Sequence, residues 1–188
     1  VMQNAQSARH LTVDTPTGAV TICADQGAIT GVRWGTGGQD SCALLKKAAA
    51  QIVAYFEDPE QGFDLPLHVN GSAFQRTVCD AMLAIPLGET KTYGDLAKAL
   101  GAPAQAIGQA CGGNPIPIII PCHRILGAQG LGGFSGGVGI DTKVALLRHE
   151  RTPQSIAKQT PAVGMGGRHW RRGDMIGHPL FWMCLPAL

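Results

Sequence analysis

The absences in this sequence narrow it first. No uninterrupted apolar stretch approaches the roughly 20 residues that a membrane-spanning helix needs, so no membrane association is expected. The opening residues Val1-Met2-Gln3-Asn4-Ala5-Gln6 show no basic segment leading into an apolar core, so no secretory signal is read there. None of the cysteines (Cys23, Cys42, Cys79, Cys111, Cys122 and Cys184) stands in a Cys-x-x-Cys pair, so neither a zinc ribbon nor a thioredoxin-like motif is suggested and no metal is expected. Their dispersed spacing fits free thiols in a reducing cytoplasm better than a disulfide framework. The glycine-rich stretch 127–139 has no Gly-Lys-[Ser/Thr] ending and no flanking Rossmann pattern, so it does not read as a phosphate cradle.

Positive charge is scarce in the body of the chain. The formal charge of the whole is +2, but residues 151–188 hold five basic residues against one acid, which leaves residues 1–150 at −2. Nucleic-acid-binding domains usually carry a basic footprint. Any DNA contact here must therefore come from a local patch, helix N-termini and backbone amides.

A length of 188 residues suits one domain or two small ones, and 26 glycines predict loops and close backbone approaches. His10–Asp14, Gly18–Ala24 and Ala28–Trp34 read as three short strands in an antiparallel meander. Ser41 is placed to cap a helix running to Asp58, with Leu45, Ala48, Ile52 and Phe56 on its core face. Phe63–Leu67 reads as an extended edge piece. No chemistry is legible before residue 70, and Cys23 and Cys42 read as packed thiols. Asn70-Gly71 is a plausible boundary. Ser72 and Gln75 then form a capping box for a helix whose apolar face is Phe74, Val78, Ala81, Met82 and Ile85. Thr92 and Asp95 start a short helix through Leu100. After Gly101-Ala102, Pro103 stands at the first position of another, Ala104–Gly112. Two short helices across such a turn read as a helix-turn-helix. The second carries almost no large side chains, which suits either tight packing within the domain or close approach to another surface. Asp141 is placed to cap a last helix to Arg151, with Val144 and Leu147 inward. From Thr152 to Leu188 no period holds, and a solvated tail is the expectation.

The stretch Asn114-Pro115-Ile116-Pro117-Ile118-Ile119-Ile120-Pro121-Cys122-His123-Arg124 carries the chemistry. Its isoleucines predict a buried segment, and its prolines keep it out of a helix and off the middle of a sheet. It delivers a thiol, an imidazole and a guanidinium in succession. A cationic neighbour and a candidate imidazole partner both lower a thiol pKa and favour the nucleophilic thiolate. Neighbours in an extended segment point to opposite faces, so a packed thiol beside a surface histidine remains the alternative on these residues alone.

Taken whole, Pro121-Cys122-His123-Arg124 with Asn114-Pro115 before it and Gly133-Phe134-Ser135-Gly136-Gly137 after it resembles the signature of the O6-alkylguanine-DNA alkyltransferase (methylated-DNA–protein-cysteine methyltransferase) family. The resemblance covers about residues 72–150. It implies an α+β protein: a small amino-terminal, ribonuclease H-like sheet-and-helix domain over residues 1–70, a mainly helical, winged-helix-like alkyltransferase domain over 71–151, and a tail over 152–188. It implies a monomer acting once on double-stranded DNA containing O6-alkylguanine, with O4-alkylthymine left open. The base is flipped out of the stack from the minor groove and its alkyl group is moved irreversibly to Cys122, with no metal or organic cofactor. By resemblance, His123 is the base that takes the Cys122 proton through a water, and Glu150 orients His123. Tyr93 contacts the base and donates a proton toward it, and Asn114 is the hinge between recognition helix and active-site segment. Ser135 and the neighbouring Gly136 belong to the base pocket, while Arg124 and Lys143 hold the site together. Ala104, Gln105, Ala106 and Gly108 are the minor-groove face. Gln105 stands where the family usually has an arginine, and the turn before it is about two residues shorter. A non-catalytic lesion binder of the alkyltransferase-like kind is the alternative, and a Cys-His thiol hydrolase a more distant one.

Overall fold

The computed structural model describes residues 8–150. The expected tail therefore lies outside the described residues. Three strands, β1 (Arg9–Val13), β2 (Val20–Asp25) and β3 (Ala28–Trp34), form an antiparallel sheet in the order β1-β2-β3. The meander is as expected, and β3 has the predicted limits. β2 is the inner strand and is buried along most of its length, with a register shift between Cys23 and Ala24.

Helix α1 (Ala43–Glu57) covers the sheet. Leu45, Ala48, Ile52 and Phe56 are buried as their spacing predicts, and Tyr55 joins them. Ser41 is not its cap. Gln39 bridges to Leu11, and Asp40 pairs with His10 through Asp40 N–H to His10 O and His10 N–H to Oδ2, both at 2.8 Å. That pairing precedes an extended Cys42 at the N-cap, where no side chain caps the helix. The extended piece around Pro66-Leu67 meets β3, with Ile29 N–H donating to Pro66 O at 2.8 Å and His68 N–H to Ile29 O at 2.9 Å.

The second half supplies α2 (Ala73–Leu83), α3 (Tyr93–Leu100), α4 (Ala104–Gly112) and α5 (Ile140–His149). At α2, Ser72 Oγ accepts from Gln75 N–H at 3.1 Å, but the Gln75 side chain does not close the expected box. It donates instead to Ala110 O at 2.7 Å, tying α2 to α4. Val78, Met82 and Ile85 are buried, whereas Phe74 is 38% exposed and departs from the predicted core face. At α3 the Thr92–Asp95 box is complete. Gly101, with φ 61°, ends that helix in the left-handed conformation that a residue without Cβ adopts freely. Pro103 is the N-cap of α4 rather than its first helical residue. Asp141 does not cap α5, because the helix begins two residues earlier than that cap requires, at Ile140 after Gly139; Thr142 Oγ1 accepts from Val138 N–H, and Asp141 lies in the first turn.

One buried cluster runs through both halves, from Val20 on β2 to Leu146 on α5, and takes in Ile116, Ile118, Ile119 and Ile120. Two short strands, β4 (Lys91–Thr92) and β5 (Ile125–Leu126), pair in parallel. That pairing brings the start of α3 beside the segment that follows Cys122. No described helix is long and apolar enough to cross a membrane.

Replacing Thr92 with Ala removes the hydroxyl that caps α3 and leaves an amide without its partner. We expect a loss of about 1 kcal/mol of stability, seen as a lower urea midpoint with unchanged slope. An unchanged midpoint would mean that the cap contributes nothing.

Candidate active site

The isoleucine segment is neither helix nor regular strand. Ile120 N–H turns back to Ile116 O at 2.8 Å, and Ile118 is held at φ 75°, a left-handed conformation that β-branched residues rarely adopt. Asn114 braces the turn from within: Nδ2 donates to Ile120 O at 2.9 Å and Oδ1 accepts from Ile116 N–H at 3.0 Å. Pro115 O accepts from Val32 N–H at 2.9 Å, which fastens the segment to β3. The chain then enters a single 3₁₀ turn, Cys122–Arg124. Cys122, His123 and Arg124 thus stand on a tight turn and not on an extended strand.

The His123 ring is fully buried, and its Nε2 lies 2.9 Å from Glu150 Oε1. Arg124 reaches the same carboxylate twice, through Nε to Oε2 at 2.8 Å and Nη2 to Oε1 at 2.9 Å, while Nη1 donates to Ile85 O at 2.6 Å. Tyr55, from α1, adds its hydroxyl to Oε1 at 2.8 Å. Burial alone would push the Glu150 carboxyl up, but the hydrogen bonds from His123 and Arg124, with the Arg124 charge, outweigh it and bring the pKa down to about 2. Glu150 is therefore ionised and can only accept. Burial lowers the His123 pKa, so the ring is neutral near pH 7. A neutral ring facing a carboxylate carries its proton on Nε2, which leaves a lone pair on Nδ1. That atom is buried without a hydrogen-bond partner among the described residues.

No hydrogen bond joins Cys122 Sγ to the His123 ring among the described residues. The expectation that its neighbours lower the Cys122 pKa is overturned. Burial raises it, and the guanidinium and imidazole are both engaged with Glu150. A hydrogen bond from Asn114, the Lys143 charge and the backbone N–H groups of Cys122 and His123 act in the opposite direction. The resting group is a thiol in surroundings prepared for a thiolate. Lys143 is itself buried and donates to the carbonyls of Ile125, Leu131 and Gly133. Burial brings its pKa down to about 8.

Cys122 opens onto a cavity of about 630 Å³, within the range typical of small-ligand sites. Tyr93, Asn114, Gly108, Ser135 and Gly136 line it with Cys122, so the structure gathers these expected residues around one space. Burial raises the Tyr93 pKa, with Cys111 and Cys122 adding to the rise, so its phenol remains a proton donor. Ser135 Oγ lies 3.4 Å from Gly112 O. An added Cβ at Gly136 would come within 2.4 Å of Trp34, so only glycine leaves that wall in place. Ala104 and Gln105 are exposed on α4 and Ala106 is half-buried; none of the three lines the cavity. His123, Arg124, Lys143 and Glu150 stand behind it.

Several members of the site were not read from sequence. Tyr55 was hidden among the core positions of α1, three residues beyond Ile52. Arg33 and Trp34 reach the cavity only because β3 packs on the isoleucine segment, and Trp34 meets Phe134 edge-on at 6.1 Å between centroids. Cys111, which burial pushes up to about 12, also lines the cavity.

The Glu150 pKa fixes the sign of an acid effect. Its folded value of about 2 lies below the usual value of about 4.3. Its contribution is therefore complete above the unfolded value and is lost as pH falls toward the folded one. Glu150→Gln should cost roughly 3–5 kcal/mol at neutral pH and clearly less in acid. Urea unfolding at both pH values checks this; an equal loss at each would contradict the assignment.

Comparison with known proteins places the chain in a family. A family model described as 6-O-methylguanine DNA methyltransferase, DNA binding domain, matches residues 73–152. The methylated-DNA–protein-cysteine methyltransferase of Mycolicibacterium paratuberculosis is 41% identical over 160 residues, covering 78% of this chain and 96% of that protein. A protein of the same name from Methanosarcina acetivorans is 44% identical over 110 residues, covering 57% of this chain and 69% of that one. The crystal structure of Mycobacterium tuberculosis OGT in complex with DNA superposes with a TM-score of 0.67 at 41% identity, covering 78% of this chain and 96% of that one. The α+β fold is shared with that structure, and the sequence similarity extends well beyond the DNA-binding half into the amino-terminal sheet. This chain belongs to the methylated-DNA–protein-cysteine methyltransferase family.

Proposed function

We propose that this protein repairs DNA by moving the alkyl group of O6-alkylguanine directly and irreversibly to Cys122. The observation that carries the reading is the neutral, buried His123, whose Nε2 is committed to an ionised Glu150 while Nδ1 is left as a base. Nδ1 takes the Cys122 proton through a water, and Glu150 stabilises the imidazolium that forms. The nascent thiolate is met by Asn114, two backbone N–H groups and the Lys143 charge. Sulfur attacks the alkyl carbon, the carbon–O6 bond breaks, and its electron pair leaves with the guanine. Tyr93, still protonated, donates toward that base as charge develops on it. A thioether is left on Cys122. It has no route back to a thiol, so each molecule acts once.

The target oxygen is out of reach in a stacked duplex, so the base is flipped into the cavity beside Ser135 and Gly136. We read α3 and α4 as a helix-turn-helix whose second helix enters the minor groove. The exposure of Ala104 and Gln105, and the open space that a Cβ at Gly108 would meet, support that placement. Asn114, bonded to both ends of the isoleucine turn, is the hinge that joins α4 to the nucleophile. The division at residue 71 follows from the same reading, with residues 71–151 forming the alkyltransferase unit and residues 1–70 buttressing it. The protein acts as a monomer on double-stranded DNA.

Intact-protein mass after incubation with a duplex bearing one O6-methylguanine tests the reading. The expected result is a gain of a single methyl, capped at one per molecule and absent in Cys122→Ala. Tight lesion binding with no mass change would sink the transfer and favour a lesion-binding protein without chemistry. His123→Gln should slow transfer by at least about a hundredfold, the usual scale of general-base catalysis, without abolishing DNA binding.

A further inference from the structure

The amino-terminal sheet contributes more than support. β3 ends at the mouth of the cavity, where Val32, Arg33 and Trp34 form part of the lining. Among the described residues that line this cavity, Arg33 is the one with a fixed charge, and none is a carboxylate. Its side chain is exposed. No carboxylate lies within ion-pair distance of it among the described residues. Nη1 donates to Cys23 Sγ at 3.7 Å, a long and weak contact, and Nη2 lies over Gly37, where an added Cβ would stand 2.3 Å away. The guanidinium is thus placed at the rim, with most of its five donors uncommitted.

Its surroundings make that charge conspicuous. Helix α4, which also lines the cavity, carries no basic residue along Ala104–Gly112. The chain through residue 150 is net negative. A polyanionic substrate approaching this mouth meets one unneutralised cation, on the sheet rather than on the helix.

We propose that Arg33 binds a DNA backbone phosphate at the mouth of the cavity, so that the amino-terminal sheet forms part of the DNA interface. The proposal rests on the reading of this cavity as the site that receives a base from DNA. A guanidinium matches two phosphate oxygens at once. Such a contact positions the duplex without reading its sequence, as a protein that searches for a damaged base requires. It supplies, from a different element, a charge that Gln105 does not carry.

Equilibrium binding of the full chain and of Arg33→Ala, Arg33→Gln and Arg33→Lys to a short duplex, with and without one O6-methylguanine, tests this between about 50 and 200 mM salt. One lost phosphate contact should reduce the slope of log K against log salt by about 0.9 in the Ala and Gln variants. Affinity should fall several-fold for both duplexes alike, and Arg33→Lys should keep the slope. Alkyl transfer from O6-methylguanine as a free base, which has no phosphate, should fall less than transfer from the duplex. An unchanged slope in both neutral variants would overturn the contact. Equal losses with free base and duplex would also overturn it, since they would place Arg33 in the base pocket or in the fold. If the unsubstituted chain transfers nothing from either substrate, the alkyl-transfer reading fails on its own, and the salt slope still decides the role of Arg33.

Discussion

Removing a carboxylate from water costs several kcal/mol unless its lone pairs find partners, and the architecture of this protein's second half meets that requirement at Glu150. Tyr55 from α1, His123 and Arg124 from the 3₁₀ turn, and Glu150 at the end of α5 converge on two oxygens. Each partner is constrained in turn. The His123 tautomer is set because the carboxylate can only accept. Arg124 is fixed because its third bond goes to Ile85 O. The two halves of the chain are locked together because Tyr55 belongs to the helix that covers the amino-terminal sheet. Losing any member would leave an unpaired polar group inside a packed core, so the cluster acts as a unit.

From that cluster follows the character of the Cys122 thiol. Cys122 is not primed by its sequence neighbours, which are occupied elsewhere. Its thiol is raised by burial, and the groups that favour the thiolate stand ready around it. Such burial keeps the sulfur protonated and quiet at rest, in keeping with the single-use transfer proposed above. The same burial that raises the thiol also keeps Tyr93 protonated, so thiol and phenol share one low-polarity environment.

Much of this was legible in the sequence, for identifiable reasons. The strands, α1 and α4 followed from local periodicity and turn chemistry, and β3 and α4 were placed to the residue. The caps at Ser41 and Asp141 failed because distant or neighbouring backbone competed for the same residues: β1 pairs with Gln39 and Asp40 before α1, and Gly139 starts α5 early. Cys122, His123 and Glu150 were singled out through a motif, and the family resemblance also paired Glu150 with His123; local pattern alone could not, since nothing in a chain records that an imidazole will turn toward a carboxylate 27 residues on. Tyr55 was not among the core positions read on α1, yet it is core. Its hydroxyl matters only because α5 ends beside it. Arg33 and Trp34 had no local signal at all, because their role depends on the packing of β3 against the isoleucine segment.

The bond between Tyr55 and Glu150 spans 95 positions of sequence. Contacts so far apart close late, since the loop entropy must be paid before they form. Synthesis reaches Cys122 before Glu150, so a growing or partly folded chain holds the thiol without the carboxylate that His123 faces in the finished fold. Under the proposed chemistry, the order of the residues along the chain therefore acts as a timer: the sulfur becomes competent only when the last helix has docked.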